Sequence, residues 1–174
     1  CFNYQDKCKF ALTQYKKAFE LAHKYQVDLK LWITLYTNAA LVFMKTDGFE
    51  RDGYADTYLQ SAYRYAMLVY GEDHVETRRI IVLWNHCLAT YDPQTAKENF
   101  EKVIREEEEY YDAMHPQLSE TYSSYALFLY ELGNYKESLK YYKKAFFVKN
   151  KVMGPKHPET ADLVNSIGLI YLYI

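Results

Sequence analysis

Residues 119–145 read SETYSSYALFLYELGNYKESLKYYKKA, and this stretch decides the fold. On both sides of Gly133-Asn134, apolar and aromatic side chains recur every three to four residues, which is the spacing of an amphipathic α-helix. Glycine and asparagine are typical of chain reversals. The pattern therefore predicts a pair of helices, from Pro116 to Leu132 and from Tyr135 to Met153.

A short histidine phrase recurs along the chain at nearly constant spacing. His74 and His115 are 41 residues apart and His115 and His157 are 42 apart. A period of this length indicates stacked helix pairs rather than one globular core. Histidines one repeat apart are too distant to share a metal ion, so we interpret the phrase as structural or capping, and predict no metal site. In full, it reads Gly71-Glu72-Asp73-His74, Met114-His115-Pro116 and Gly154-Pro155-Lys156-His157-Pro158.

A second pattern, a small, a large and a small residue at steps of four and three, repeats with a similar period. These steps put the three residues on one helix face, where the small ones let a neighbouring helix approach. The members are Ala11, Tyr15 and Ala18; Ala55, Leu59 and Ala62; Ala96, Phe100 and Val103; and Ser138, Tyr142 and Ala145.

The same periodicity predicts six further helices. The turn-rich stretch from Thr46 to Gly53 has Asp-Gly at both ends and predicts a loop between the second and third of them. The six run over Gln5 to Tyr25, Leu29 to Lys45, Tyr54 to Tyr70, Val75 to Thr90, Pro93 to Ala113, and Pro158 to the end.

Composition excludes several classes of function. Twenty-one basic and 23 acidic residues leave a net charge of −2, which gives no field for nucleic acid or an anionic membrane, so neither partner is predicted. No apolar run is long enough to cross a bilayer. The cysteines Cys1, Cys8 and Cys87 show no metal-ligand spacing and favour a reducing, cytoplasmic location. Phosphate-loop, dinucleotide and zinc-hydrolase motifs are absent, so we predict a chain without cofactor or catalysis.

Residues 119–145 resemble tetratricopeptide repeats, in the longer variety found in kinesin light chains. Residues 154–160 are similar to the linker between such repeats, and the resemblance covers essentially the whole chain. It implies an all-α, right-handed α-solenoid, one domain over 1–174 that is incomplete at both ends, with units at 1–27, 28–72, 73–114, 115–155 and 156–174. The consensus positions are occupied by Tyr122, Tyr125, Ala126, Leu129, Gly133, Tyr135, Ser138, Tyr142 and Ala145, with serine at 138 where alanine is usual.

The resemblance also implies a protein-binding scaffold or adaptor, whose first helices line a groove that holds a peptide or helical segment of another protein. Asn38 and Asn165 fall where light-chain repeats carry asparagines that bind a ligand backbone, although an asparagine in a helix can equally bond locally or face water. By this analogy the partner-binding residues are Thr34, Thr37, Asn38, Leu41, Lys45, Arg79, Val82, His86, Glu120, Ser123, Leu127, Tyr130, Asp162, Asn165 and Leu169.

Other interpretations stay open. The repeats could be the docking or regulatory part of an enzyme whose catalytic domain lies outside this chain. A groove that captures a chaperone's terminal carboxylate is disfavoured, because Thr37 and Leu41 replace the clamp residues of such groups. Arg105-Glu106-Glu107-Glu108-Glu109 is interpreted as a solvated face rather than an acidic docking strip. The apolar end of the last helix should be covered by further repeats, by a capping helix or by another chain, through self-association or a larger assembly.

Overall fold

The structure is a computed structural model that describes residues 4–45 and 50–174, with side chains from 7–45 and 54–174. Helices are the regular elements throughout this part of the chain. In order they are α1 (Tyr4–Tyr25), α2 (Leu29–Met44), α3 (Glu50–Val69), α4 (Val75–Leu88), α5 (Pro93–Tyr110), α6 (Pro116–Glu131), α7 (Tyr135–Met153) and α8 (Pro158–Ile170).

The helices confirm the periodicity, with one correction. Seven of the eight begin within a residue of the predicted start, but α3 begins at Glu50 and not at Tyr54. Its first turn therefore takes in Asp52-Gly53, which was predicted to lie in a loop. Glycine is tolerated in a first turn more readily than in a helix interior, so the Asp-Gly signal did not stop the helix. The remainder of that predicted loop, residues 46–49, lies outside the described part.

The chain divides into two compact units, Cys1–Asp92 and Pro93–Ile174. In the first, α1 packs on α2, α2 on α3 and α3 on α4. In the second, α5 packs on α6, α6 on α7 and α7 on α8. Within each unit, each helix thus lies against its neighbours in sequence, as short connections between antiparallel helices require.

The core of the first unit is built on small residues. Ala55, Leu59 and Ala62 of α3 are fully buried, so the small–large–small face is the packing face, as predicted. The corresponding residues of α1, Ala11, Tyr15 and Ala18, are only half-buried. Ile33 and Ala40 of α2 join the same cluster.

The core of the second unit is aromatic and contains two buried hydroxyl bridges. The rings of Phe100, Tyr125 and Phe128 lie with centroids 5.3–5.9 Å apart. Ser138 of α7 donates its hydroxyl to the Ala126 carbonyl of α6 at 2.7 Å, and Ser119 of α6 donates to the Ala145 carbonyl of α7 at 2.8 Å. Serine at 138 is therefore small enough for the close approach and also cross-links the pair.

The histidine phrase caps helices. His74, His115 and His157 are the N-cap residues of α4, α6 and α8, and each accepts a backbone N–H through Nδ1 at 3.2–3.3 Å. Two of the rings also stack on a tyrosine four residues earlier, at 4.4 Å for Tyr70 and 4.0 Å for Tyr111. The capping interpretation is confirmed: the phrase fixes where α4, α6 and α8 start.

The histidine phrases around His74 and His157 share a glycine and a threonine that the phrase around His115 lacks. Gly71 and Gly154 have φ of +85° and +84°, a conformation that favours glycine. Their carbonyls accept hydrogen bonds from Thr77 at 2.7 Å and Thr160 at 3.0 Å. The phrase around His115 has neither the glycine nor the threonine.

Candidate functional site

On α6 and α8, the residues predicted to bind a partner form one exposed face per helix. Glu120 and Leu127 of α6 are exposed, Leu127 by 40%, and Ser123 and Tyr130 beside them are half-buried. The steps of three and four between these residues keep them on one side of the helix. The opposite side of α6 is buried through Ser119, Tyr122, Ala126 and Leu129.

The face of α8 has the same composition. Asp162, Asn165 and Leu169 lie three and four residues apart and are all exposed, Leu169 by 46%. Each of the two helices thus presents a carboxylate and a leucine to solvent, and α8 adds a side-chain amide. Such a face can hydrogen-bond a peptide backbone and bury an apolar side chain.

Hydrogen bonds that join α5 to α6 and α7 hold α6 in position. Glu108 of α5 accepts from the Tyr122 hydroxyl at 2.6 Å and from Lys144 of α7 at 2.9 Å. Burial alone would raise the pKa of Glu108, but these two hydrogen bonds outweigh it and hold the pKa below its usual value. Glu101 of α5 accepts from the Tyr125 hydroxyl at 3.0 Å in the same way. Burial, followed by the bond to the carboxylate, raises the pKa of each tyrosine.

An ion pair fixes the start of α8. Lys149, with only 6% of its side chain exposed, lies 2.6 Å from the carboxylate of Glu159. The hydrogen bond and charge of Lys149 lower the pKa of Glu159. Because Glu159 is in the first turn, its negative charge also complements the N-terminal end of the helix dipole.

The first unit presents a more cationic face. Thr34, Asn38 and Lys45 of α2 and Arg79 of α4 are exposed, while Thr37 and Leu41 are half-buried. The Thr34 hydroxyl donates to the Lys30 carbonyl at 3.1 Å, so part of its bonding capacity is already used within the helix. Asn38 has an exposed side chain that can reach a ligand.

One predicted binding residue of α4 is in the core. Val82 is only 6% exposed, so it cannot touch a partner on this surface. His86 is half-buried, and burial lowers its pKa to about 4. The exposed residue among those predicted on α4 is Arg79. Cys87 is 3% exposed, which confirms that it is a core residue.

The acidic run of α5 is solvated in most of its length, as predicted. Arg105, Glu108 and Glu109 are exposed, whereas Glu107 is fully buried, and Glu108 is also bonded to Tyr122 and Lys144. Glutamates at successive positions point to different sides of a helix, so the run does not form one uniform face.

The sequence prediction missed an aromatic groove in the first unit. A cavity of about 480 Å³ lies between α1, α2 and α3. Phe19 contacts Tyr36 and Tyr58 with centroids 5.0 and 5.6 Å apart, and Phe43 contacts Tyr58 at 5.4 Å. Burial, then the neighbouring tyrosines, raises the pKa of Tyr36. The sequence signal that could have revealed the groove is the set of aromatic residues, spaced like core residues, on three successive helices.

The described residues contain no group of three or more His, Cys, Asp or Glu side chains that could hold a metal ion. No helix in this part of the chain combines the length and the apolar character needed to span a bilayer. Cys8 and Cys87 are buried free thiols. The exposed faces of α2, α4, α6 and α8 are thus the surfaces on which the predicted binding residues are found.

Comparison with known proteins supports a repeat fold. Residues 117–174 match the sequence model of the tetratricopeptide repeat family. No curated protein matches the chain significantly. The crystal structure of BtubC (BKLC) from P. vanneervenii superimposes with a TM-score of 0.71 at 15% identity, covering 98% of this chain and 67% of that one.

These findings agree with the all-α helix order and with the repeat period of the histidine caps. Tetratricopeptide repeats are in general non-catalytic modules for protein–protein interaction. Residues 117–174 are thus similar in sequence to tetratricopeptide repeats, and the fold of nearly the whole chain is similar to that of BtubC.

Proposed function

We propose that the chain is a non-catalytic scaffold that binds a peptide or a helical segment of another protein. The binding surfaces are the exposed faces of α2, α4, α6 and α8, the first helix of each pair. The observation that carries the proposal is on α6. This helix buries its other side between α5 and α7, yet leaves Leu127 exposed between Glu120 and Tyr130. A leucine kept at the surface of an otherwise well-packed helix suits a face that a partner covers.

The chemistry of the face suggests what it binds. Glu120 and Asp162 supply negative charge, Leu127 and Leu169 supply apolar contact, and Asn165 supplies an amide. A segment with basic and apolar side chains complements the second unit. In the first unit, the exposed Lys45 and Arg79 complement an acidic segment. A reducing compartment such as the cytoplasm suits the buried thiols.

The proposal can be tested by panning a displayed peptide library on the intact chain and ranking the selected peptides by affinity. Leu127→Asp should weaken their binding at least about tenfold, because it removes apolar contact and adds a repelling charge. Val152→Asp is the matched control, since Val152 is 44% exposed but lies on α7. Equal weakening by both variants, or by neither, would exclude α6 as the binding face.

A further inference from the structure

A row of lysines follows one side of α7. Lys136, Lys140, Lys143 and Lys151 are exposed, and Phe147 between them is 52% exposed. Successive members are four, three, four and four residues apart, which confines them to a narrow stripe of the helix. From Lys136 to Lys151 the stripe is about 22 Å long. We call these five residues the lysine row.

The lysines of the lysine row form no ion pair within the described part of the chain, although the charge of Lys140 helps to lower the pKa of Glu108. No carboxylate there lies within ion-pair distance of its four lysines; the lysine contacts are with aromatic rings. The distances to ring centroids are 5.9 Å for Lys140 to Tyr141, 5.5 Å for Lys143 to Tyr171 and 6.0 Å for Lys151 to Phe147. These contacts are at the outer limit for cation–π attraction and leave the ammonium groups accessible.

The neighbouring helix α5 shows what an ordinary solvated face looks like in this protein. Lys97 pairs with Glu101 at 3.9 Å, and Lys102 with Glu106 at 3.6 Å, each four residues on. Such pairs stabilise a helix, whereas like charges at the same spacing destabilise it by a similar amount. On α7, Lys136 is followed four residues on by Lys140. The lysine row therefore works against helix stability, and a binding role accounts for it.

The positive charge is confined to one helix, which indicates an acidic partner that is equally narrow. The helix α7 carries six lysines and one glutamate, but α5, in the same unit, carries six glutamates against three basic residues. A broad polyanion such as a membrane or duplex nucleic acid would also meet the acidic surface of α5. A single helix with acidic residues three or four positions apart would meet the lysines alone.

A second copy of this chain does not supply such a helix. Its densest acidic stretch runs from Glu106 to Glu109. Glu106 pairs with Lys102, Glu107 is fully buried and Glu108 is bonded to Tyr122 and Lys144, so three of these four carboxylates are buried or already bonded within the chain. The complementary helix must come from a different protein.

We propose that the lysine row of α7 is a docking site for an acidic α-helical segment of a partner protein, with Phe147 covered by an apolar residue of that segment. The site goes beyond the proposed groove, because it lies on α7 and uses none of the exposed residues of α6 or α8. The two surfaces can be tested separately.

The test uses the full chain and a fluorescein-labelled helical peptide with glutamates along one face and a central leucine. An isomer of the same composition, with its glutamates spread around the helix, is the peptide control. Fluorescence anisotropy at low salt should show the one-faced peptide binding about tenfold more tightly than the isomer, and high salt should weaken it. Equal binding of the two isomers would overturn the proposal.

The variants locate the site. Lys140→Glu with Lys143→Glu should weaken binding at least about tenfold, and the milder pair Lys140→Gln with Lys143→Gln about threefold. Lys17→Glu with Lys24→Glu makes the same charge change on exposed positions of α1 and should alter binding less than about twofold. Far-UV circular dichroism shows which variants keep the fold, and the Gln pair decides the matter if the Glu pair unfolds.

Two further results bear on the partner. Phe147→Ser should weaken binding severalfold and leave its salt dependence unchanged, because no charge is removed. Loss of affinity in the α1 variant equal to that in the α7 variant would overturn the proposal. Tighter binding of duplex DNA or phosphatidylserine vesicles than of the peptide, abolished by the α7 variant, would overturn it in favour of a broad anionic surface.

Discussion

Acidification should weaken the first unit through one side chain, His86. Burial lowers its pKa to about 4 in the folded chain, whereas an unperturbed histidine titrates near about 6.5. Because the folded pKa is the lower one, the unfolded chain binds the proton first as the pH falls. The stability contributed by neutral His86 is therefore fully present above pH 6.5 and is lost progressively as the pH falls to about 4. At about 1.4 kcal/mol per pKa unit, the whole shift amounts to about 3 kcal/mol, of which about 2 kcal/mol is lost by pH 5.

Urea unfolding at pH 7.5 and pH 5.0 measures this effect. Trp32 and Trp84 both lie in the unit Cys1–Asp92, so tryptophan fluorescence follows that unit. His86→Gln removes the titrating group, and the loss of unfolding free energy between the two pH values should shrink by about 2 kcal/mol relative to the parent chain.

The control is His23→Gln, which removes an exposed imidazole from the same unit and should keep the parent's loss. The reasoning is refuted if His86→Gln and the parent chain lose equal stability. A smaller loss in His23→Gln would point to a different titrating group.

Three further predictions concern local structure. Gly133→Ala should destabilise the second unit by about 1 kcal/mol, because Gly133 has φ of +76°; an unchanged urea midpoint followed by circular dichroism would contradict this. His157→Ala should lower stability by about 1 kcal/mol by removing the N-cap of α8, and His157→Asn should recover most of it; equal loss in both would show that the cap is not the cause. Ser138→Ala should cost about 1 kcal/mol by removing the bond to Ala126, and a stability equal to that of the parent would mean that the hydroxyl contributes nothing net.

The helices were predictable because their signals are local. The 3.6-residue period, the prolines in the first turns and the histidine phrase each act within a few residues of the chain. The start of α3 was missed because Asp52-Gly53 is a turn signal that the first turn of a helix tolerates. The close helix packing at Ala55, Leu59 and Ala62 was predictable because step lengths of four and three define a face.

The candidate surfaces were only partly predictable, because burial depends on how far each helix is rotated about its axis. Val82 lies at the edge of the face that carries Arg79, and a modest rotation turns such a position from solvent to core. The aromatic groove around Phe19 needs distances between three helices, which a linear pattern does not contain. The lysine row was visible in the sequence, but its lack of carboxylate partners was not.

The two hydroxyl bridges between α6 and α7 bear on how such arrays can evolve and be recombined. Ser119 of α6 reaches a carbonyl of α7, and Ser138 of α7 reaches a carbonyl of α6. A one-residue insertion between Ser119 and Ala126, or between Ser138 and Ala145, would rotate one bridging residue by about 100° relative to the other, so the two bridges could not both form. Crossovers that exchange a whole pair, with breakpoints in the connections before α6 and after α7, keep both. The heritable unit of this array is thus the bridged helix pair, and a single helix taken from a relative is expected to fit only when its partner accompanies it.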